Sequence, residues 1–119
     1  MLYTFRNEPG VEKPELFIDL TREIKGLDQI ERCRGVGQSF AIAFDPDFAK
    51  NRRCYLMYVL ASKDRKKPLE QGSRVSRFTV TDTDPPRIDP ASEEVLLTWI
   101  AGGHNGCDLQ FGNDGYLYI

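Results

Sequence analysis

Histidine, cysteine, long apolar runs and excess charge of one sign are all scarce in this chain, and each scarcity removes a class of function. No apolar stretch approaches the ~20 residues that cross a bilayer, so no membrane-spanning segment is expected. The amino terminus, Met1-Leu2-Tyr3-Thr4-Phe5-Arg6, lacks the basic and apolar regions of a signal peptide. Three cysteines, Cys33, Cys54 and Cys107, stand far apart without a CxxC pair or zinc-ligand spacing. One disulfide among them is open, but an odd count at these spacings selects no redox compartment. The formal net charge is −2, which gives no electrostatic basis for binding nucleic acid. The basic run 63–67 contains Asp64 and reads as a solvated loop. Neither paired carboxylates nor a nucleophile–base pair stand out, which disfavours a hydrolase. Histidine occurs once, as His104.

What is present is β-structure. A chain of 119 residues is normally one domain with a usable core. Its apolar runs are short, rich in aromatic and branched residues and bounded by turn formers, which predicts an all-β protein. Strands are expected near residues 2–6, 15–19, 40–44, 54–60, 74–81, 94–99, 108–111 and 116–119. Arg74-Val75-Ser76-Arg77-Phe78-Thr79-Val80 alternates polar and apolar, as a strand with one wet face does. Pro46-Asp47, Asp84-Pro85-Pro86, Asp89-Pro90 and Asn113-Asp114-Gly115 are turn chemistry. Residues 21–30, with Ile24, Leu27 and Ile30 at helical spacing, are open between a short helix and a loop.

The strands repeat. Phe44-Asp45-Pro46-Asp47-Phe48 leads to Tyr55-Leu56-Met57-Tyr58, and Phe111-Gly112-Asn113-Asp114-Gly115 leads to Tyr116-Leu117-Tyr118. Tyr3-Thr4-Phe5 followed by Glu15-Leu16-Phe17-Ile18 is matched by Ser76-Arg77-Phe78 followed by Glu94-Val95-Leu96-Leu97. Laid end to end, residues 1–20 supply two outer strands of one unit, 36–100 a complete four-stranded unit, and 104–119 two inner strands of a third. Four antiparallel strands recurring as a unit are the blade of a β-propeller. The offset from Phe44 to Phe111 exceeds the ~40–50 residues of compact blades, which the long loops at 61–73 and 82–92 explain. An ordinary β-sandwich with coincidental similarity is the competing fold. A propeller closes with about four to eight blades, so this chain is expected to be a segment of a larger ring.

In a propeller the loops before the innermost strands ring one mouth of the central channel. His104 and Asn105 fall in such a loop, behind Ala101-Gly102-Gly103, where glycines let the backbone approach a ligand. Imidazole, with an unperturbed pKa of about 6.5, suits proton transfer near neutrality; lining the channel as a hydrogen bonder is the plainer role. The equivalent loop of the complete unit, 32–39, carries Arg32, Arg34 and Gln38, two guanidiniums that suit an anionic ligand or simply solvent. Asp45, Asp47, Asn113 and Asp114 do not have the spacing of a calcium loop and read as turn residues, so no metal ligands are assigned.

Gly103-His104-Asn105-Gly106, followed by Asp108-Leu109-Gln110-Phe111-Gly112 and Asp114-Gly115-Tyr116-Leu117-Tyr118, resembles the HNGG(D/Q)LxFGPDGYLY signature of the glucose/sorbosone dehydrogenase family. Ala43-Phe44-Asp45-Pro46-Asp47-Phe48 is similar to that family's AFHPDF turn, and Ser73-Arg74-Val75-Ser76-Arg77-Phe78 to its SRVSRF strand. The resemblance implies a six-bladed propeller that oxidises an aldose or related sugar at the anomeric carbon. It implies pyrroloquinoline quinone (PQQ) and calcium as cofactors, an external electron acceptor, and a periplasmic or secreted location. By that analogy His104 is the general base, and Asn105 and Gln38 are the cofactor-contacting candidates. Three positions depart from the pattern. Val36 stands where the family has a polar, quinone-contacting side chain, and Gln38, two positions along, is the candidate to replace it. Cys107 replaces the second glycine of HNGG, and Asn113 replaces a turn proline. Retained His104-Asn105-Gly106 favours the enzyme, whereas Val36 favours a non-catalytic propeller serving as a binding or scaffolding module.

Overall fold

Each connection between the long strands is short enough to return the chain beside the strand it has just left, so successive strands pair antiparallel. A computed structural model describes all 119 residues. Strands β1 (Leu2–Thr4) and β2 (Glu15–Ile18) form one pair, with Leu2 opposite Ile18 and Thr4 opposite Glu15. Strands β3 (Cys33–Phe44), β4 (Arg53–Ser62), β5 (Ser73–Val80) and β6 (Ile88–Trp99) form a four-stranded antiparallel sheet in sequence order. Strands β7 (Gln110–Phe111) and β8 (Leu117–Tyr118) form a final hairpin. No helix is long and apolar enough to cross a membrane.

The central strand β4 shows how the three sheets stack. Seven consecutive residues from Cys54 to Leu60 are buried, because β4 is covered on both faces rather than one. Period-two geometry sends Cys54, Leu56, Tyr58 and Leu60 to one side, where they meet Phe17, Ile18, Leu20, Phe78 and Val80. Tyr55, Met57 and Val59 go to the other side and meet Val75, Ala101 and Leu109, with Phe111 and Leu117 against them. The sheet is therefore clasped between the unit before it and the unit after it. Tyr55 of one repeat and Phe111 of the other close the second interface edge to face at 5.2 Å.

The segment 21–30, left open by the sequence, divides into two single turns. Helix α1 (Leu20–Glu23) starts at Asp19, whose carboxylate accepts from the Thr21 amide (3.1 Å) and hydroxyl (2.6 Å). Glu23 accepts in turn from the Asp19 amide at 2.8 Å, a reciprocal cap. Arg87 donates to both Glu23 oxygens, at 3.0 and 3.1 Å, tying this turn to the β5–β6 connection. A 3₁₀ turn (Leu27–Gln29) follows Gly26, which is left-handed at φ 71°. A further single turn, α2 (Phe48–Asn51), lies between β3 and β4.

Two expected loops are strand. Residues 33–39, expected to be a mouth loop, form the first half of β3 and pair with β4 as far as Cys33 opposite Ser62. Glycines 35 and 37 mark register shifts within the strand instead of ending it, between Cys33 and Gly35 and between Val36 and Gln38. At the other edge, β6 begins at Ile88 and runs through Asp89-Pro90, where the sequence suggested a turn. An edge strand has one unpaired side, so a proline there costs no ladder bond.

Candidate functional site

Strand register decides which residues share a rim. Cys33 lies opposite Ser62, and Ser73 opposite Trp99. The start of β3, the β4–β5 loop and the segment 100–109 that carries His104 therefore lie at one end of the blade. The segment is held there by Ala101, whose amide donates to the Leu69 carbonyl at 2.9 Å. Asn105 folds it back on itself by donating from Nδ2 to the Gly102 carbonyl at 2.8 Å.

The bulge in β3 sorts the side chains of that rim. Without it Val36 and Gln38, two residues apart, would share a face. The register shift between them sets Val36 opposite Leu60 and Gln38 opposite Val59, residues that belong to the two different cores. Val36 accordingly packs against the first core cluster. Gln38 lines a groove of about 280 Å³ together with Arg34, Gly37, Gly102 and Asn105. The two cofactor-contacting candidates, Gln38 and Asn105, thus face one groove. Val36 is not among its lining residues. The Gly35-x-Gly37 spacing was the sequence signal for this shift, since glycines inside a strand mark bulges.

His104 is exposed on the segment beside Asn105 and is not among the residues lining the groove. Arg32 also stays outside: it is left-handed at φ 63°, lies 3.9 Å from Glu31, and its carbonyl accepts the Lys63 amide at 2.7 Å. Cys107 rests half-buried against the second core, with burial first and the Asp108 charge second raising its thiol pKa. All three cysteines are free thiols.

The turn carboxylates are engaged locally. Asp45 accepts from the Asp47 amide (2.9 Å), Asn51 Nδ2 (2.8 Å) and the Tyr55 hydroxyl (3.1 Å). These bonds, that from Asn51 foremost, hold its pKa below the usual carboxylate value. Asp114 accepts from the Tyr116 amide (3.1 Å) and the Tyr118 hydroxyl (2.6 Å), again with a lowered pKa. In both units a turn aspartate takes a tyrosine hydroxyl from the next strand, though from positions that do not correspond in the repeat.

A four-stranded antiparallel sheet with a strand pair stacked on each face is the building unit of a β-propeller. The Glucose / Sorbosone dehydrogenase family pattern matches residues 16–119, and the chain belongs to that family. It is also 33% identical over 100 residues to Hedgehog-interacting protein of Mus musculus, and equally to that of Homo sapiens. The match covers 81% of this chain and 13% of each relative, so the chain spans about an eighth of their length.

The groove suits part of the cofactor set that this membership suggests. PQQ is a planar tricarboxylate with two adjacent carbonyls. Arg34 offers a guanidinium fork, Gln38 offers amide donors, and a side chain at Gly102 would meet nothing within 4 Å, so the backbone there is open. Calcium does not suit these residues. No three His, Cys, Asp or Glu side chains come together, and the turn aspartates already have donors.

Proposed function

We propose that this chain is part of a PQQ-dependent dehydrogenase that oxidises an aldose or related sugar at its anomeric carbon. The observation that carries the reading is the groove in which Gln38 and Asn105 meet, immediately beside the exposed His104. Arg34 and Gln38 would hold the cofactor, with its carboxylates and carbonyls as their acceptors, while Asn105 shapes the segment through its bond to Gly102. PQQ, when bound, supplies a two-electron acceptor for the hydrogen on the anomeric carbon, and the electrons pass on to an external acceptor. His104 takes the proton of the anomeric hydroxyl, so that the sugar leaves as a lactone and the imidazole returns its proton to solvent. Calcium belongs to this reading through family membership alone, with ligands other than these 119 residues. A periplasmic or secreted location accompanies it.

The test is a titration of the full-length protein with PQQ in the presence of calcium, followed by absorbance. Saturation near one per chain, then dye reduction with a sugar panel, is expected. His104→Ala should keep the cofactor and lose turnover; undiminished turnover rejects the general base. A second reading has its own support: relatives at 33% identity are named for interaction with Hedgehog. On that reading the propeller is a protein-binding module without redox chemistry. Failure to bind PQQ together with capture of a protein ligand would establish it.

A further inference from the structure

A second cavity, of about 450 Å³, opens at the same rim and is lined by Lys25, Gly26, Asp28, Arg34, Gly35 and Lys63, among others. Three cations face it against one carboxylate, in a chain whose net charge is −2. None of the three has a carboxylate within 4.0 Å. Arg6, Arg22, Lys50, Arg52, Arg77 and Arg87 all do. Lys63 opens the basic run, so Arg65, Lys66 and Lys67 follow it on the same loop without ion pairs of their own. Unneutralised cations gathered at one rim raise the local potential and favour an anion. The backbone is open as well. Side chains at Gly26 (φ 71°) and Gly35 (φ 128°) would meet nothing within 4 Å, so a ligand can approach the main chain.

Arg34 lines both this cavity and the Gln38–Asn105 groove. One guanidinium therefore joins an anion-attracting site to the candidate site of oxidation. No aromatic ring lines the basic cavity, so it offers charge rather than a stacking surface.

We propose that this rim binds an acidic saccharide, with a ring carboxylate seated among Lys25, Arg34 and Lys63 and the adjoining ring directed past Arg34 towards the groove beside His104. The word saccharide rests on the sugar-oxidising reading above; the anion site rests on the cations themselves. The two lysines act as point charges on that carboxylate, and Arg34, whose fork serves the groove, adds its charge at the boundary between the two sites.

The experiment is calorimetric titration of the full-length protein with trigalacturonate and with its methyl ester, which keeps the shape and removes the charge. Trigalacturonate is expected to bind, more weakly as salt rises, and the ester not to bind. The double variant Lys25→Gln, Lys63→Gln should weaken trigalacturonate at least tenfold and flatten the salt dependence, while PQQ binding stays at the wild-type value. These changes remove charge at exposed positions; a Lys25→Arg, Lys63→Arg protein that binds as wild type separates lost charge from lost fold. Equal binding of the ester overturns the proposal, as does a double variant that binds like wild type. A parallel loss of PQQ binding also overturns it, because the cations would then serve the cofactor. Trigalacturonate binding without PQQ binding keeps this inference and removes the dehydrogenase. PQQ binding without trigalacturonate binding does the reverse.

Discussion

Gly72 provides the sharpest test of the packing that holds the His104 segment to the blade. A Cβ at this position would stand 2.5 Å from the Ala101 Cβ, 2.9 Å from the Leu69 Cβ and 3.1 Å from the Leu69 carbonyl oxygen. Carbon atoms at rest sit about 3.5–4.0 Å apart, so Gly72→Ala overlaps all three neighbours. None of these atoms swings aside by a change of rotamer, because each is fixed to the main chain. The main chain is itself bonded here: Leu60 donates to Gly72 at 2.7 Å, and Gly72 and Ala101 both donate to Leu69, at 3.1 and 2.9 Å. Relief requires the segment beyond Ala101 to shift, and Asn105 and His104 shift with it. Overpacking of this kind costs about 1–3 kcal/mol. Reduced freedom of the unfolded chain offsets about 0.4–1 kcal/mol of that, which leaves a net loss between about 0 and 2.6 kcal/mol, and contacts under 3.0 Å place it in the upper half of that range. Denaturant unfolding of the full-length protein should show a lower midpoint for the transition that includes this blade. Ala101→Gly, which removes the nearest atom, should recover part of the loss in the double variant, with a coupling of about 0.5 kcal/mol or more. A neutral or stabilising Gly72→Ala, or strict additivity with Ala101→Gly, would refute the argument.

Leu56, fully buried at the centre of β4, faces the first core; Leu56→Ala should lower stability by about 2–5 kcal/mol in the same unfolding assay. Asp45→Ala leaves the Asp47 amide, Asn51 and Tyr55 without their acceptor, for a loss of about 1–3 kcal/mol. The Asp45 carboxyl has a lowered folded pKa, so its contribution is complete above its unfolded value. That contribution disappears as pH falls through the folded value, and the variant's stability should vary less in acid than that of the wild type. Burial pushes the Cys54 thiol and the Tyr58 phenol up to about 12 from 9.0 and 10.0. Both favour the folded state fully below their unfolded values, so stability should decline between roughly pH 9 and 12. Cys54→Ala should delay the onset of that decline, as read from unfolding midpoints across the alkaline range.

Much of the fold was legible in the chain because β-structure announces itself locally. The alternation of residues 74–80 is a one-residue-in-two signal that needs no tertiary information. The buried run from Cys54 to Leu60, bracketed by turn formers, marks a strand covered on both faces. The Phe–turn–Tyr repeat also survives in the structure, as an antiparallel strand–turn–strand pairing in each unit. His104 and Asn105 stood out as candidate residues in a glycine-rich segment, and family membership followed from the motifs around them.

The sequence by itself determined an all-β chain of repeating antiparallel strands, its family, and a short set of candidate residues. Only the tertiary structure decided where those residues face. Glycines 35 and 37 look like a loop in one dimension, yet pairing with β4 draws them into β3 as bulges, and the shift turns Val36 inward and Gln38 outward. Lys25 and Lys63, far apart in sequence, meet across one cavity because β3 runs back beside β4. Local propensity is a property of neighbours along the chain; the side of a sheet, and the company kept there, depends on a register set by contacts between distant residues.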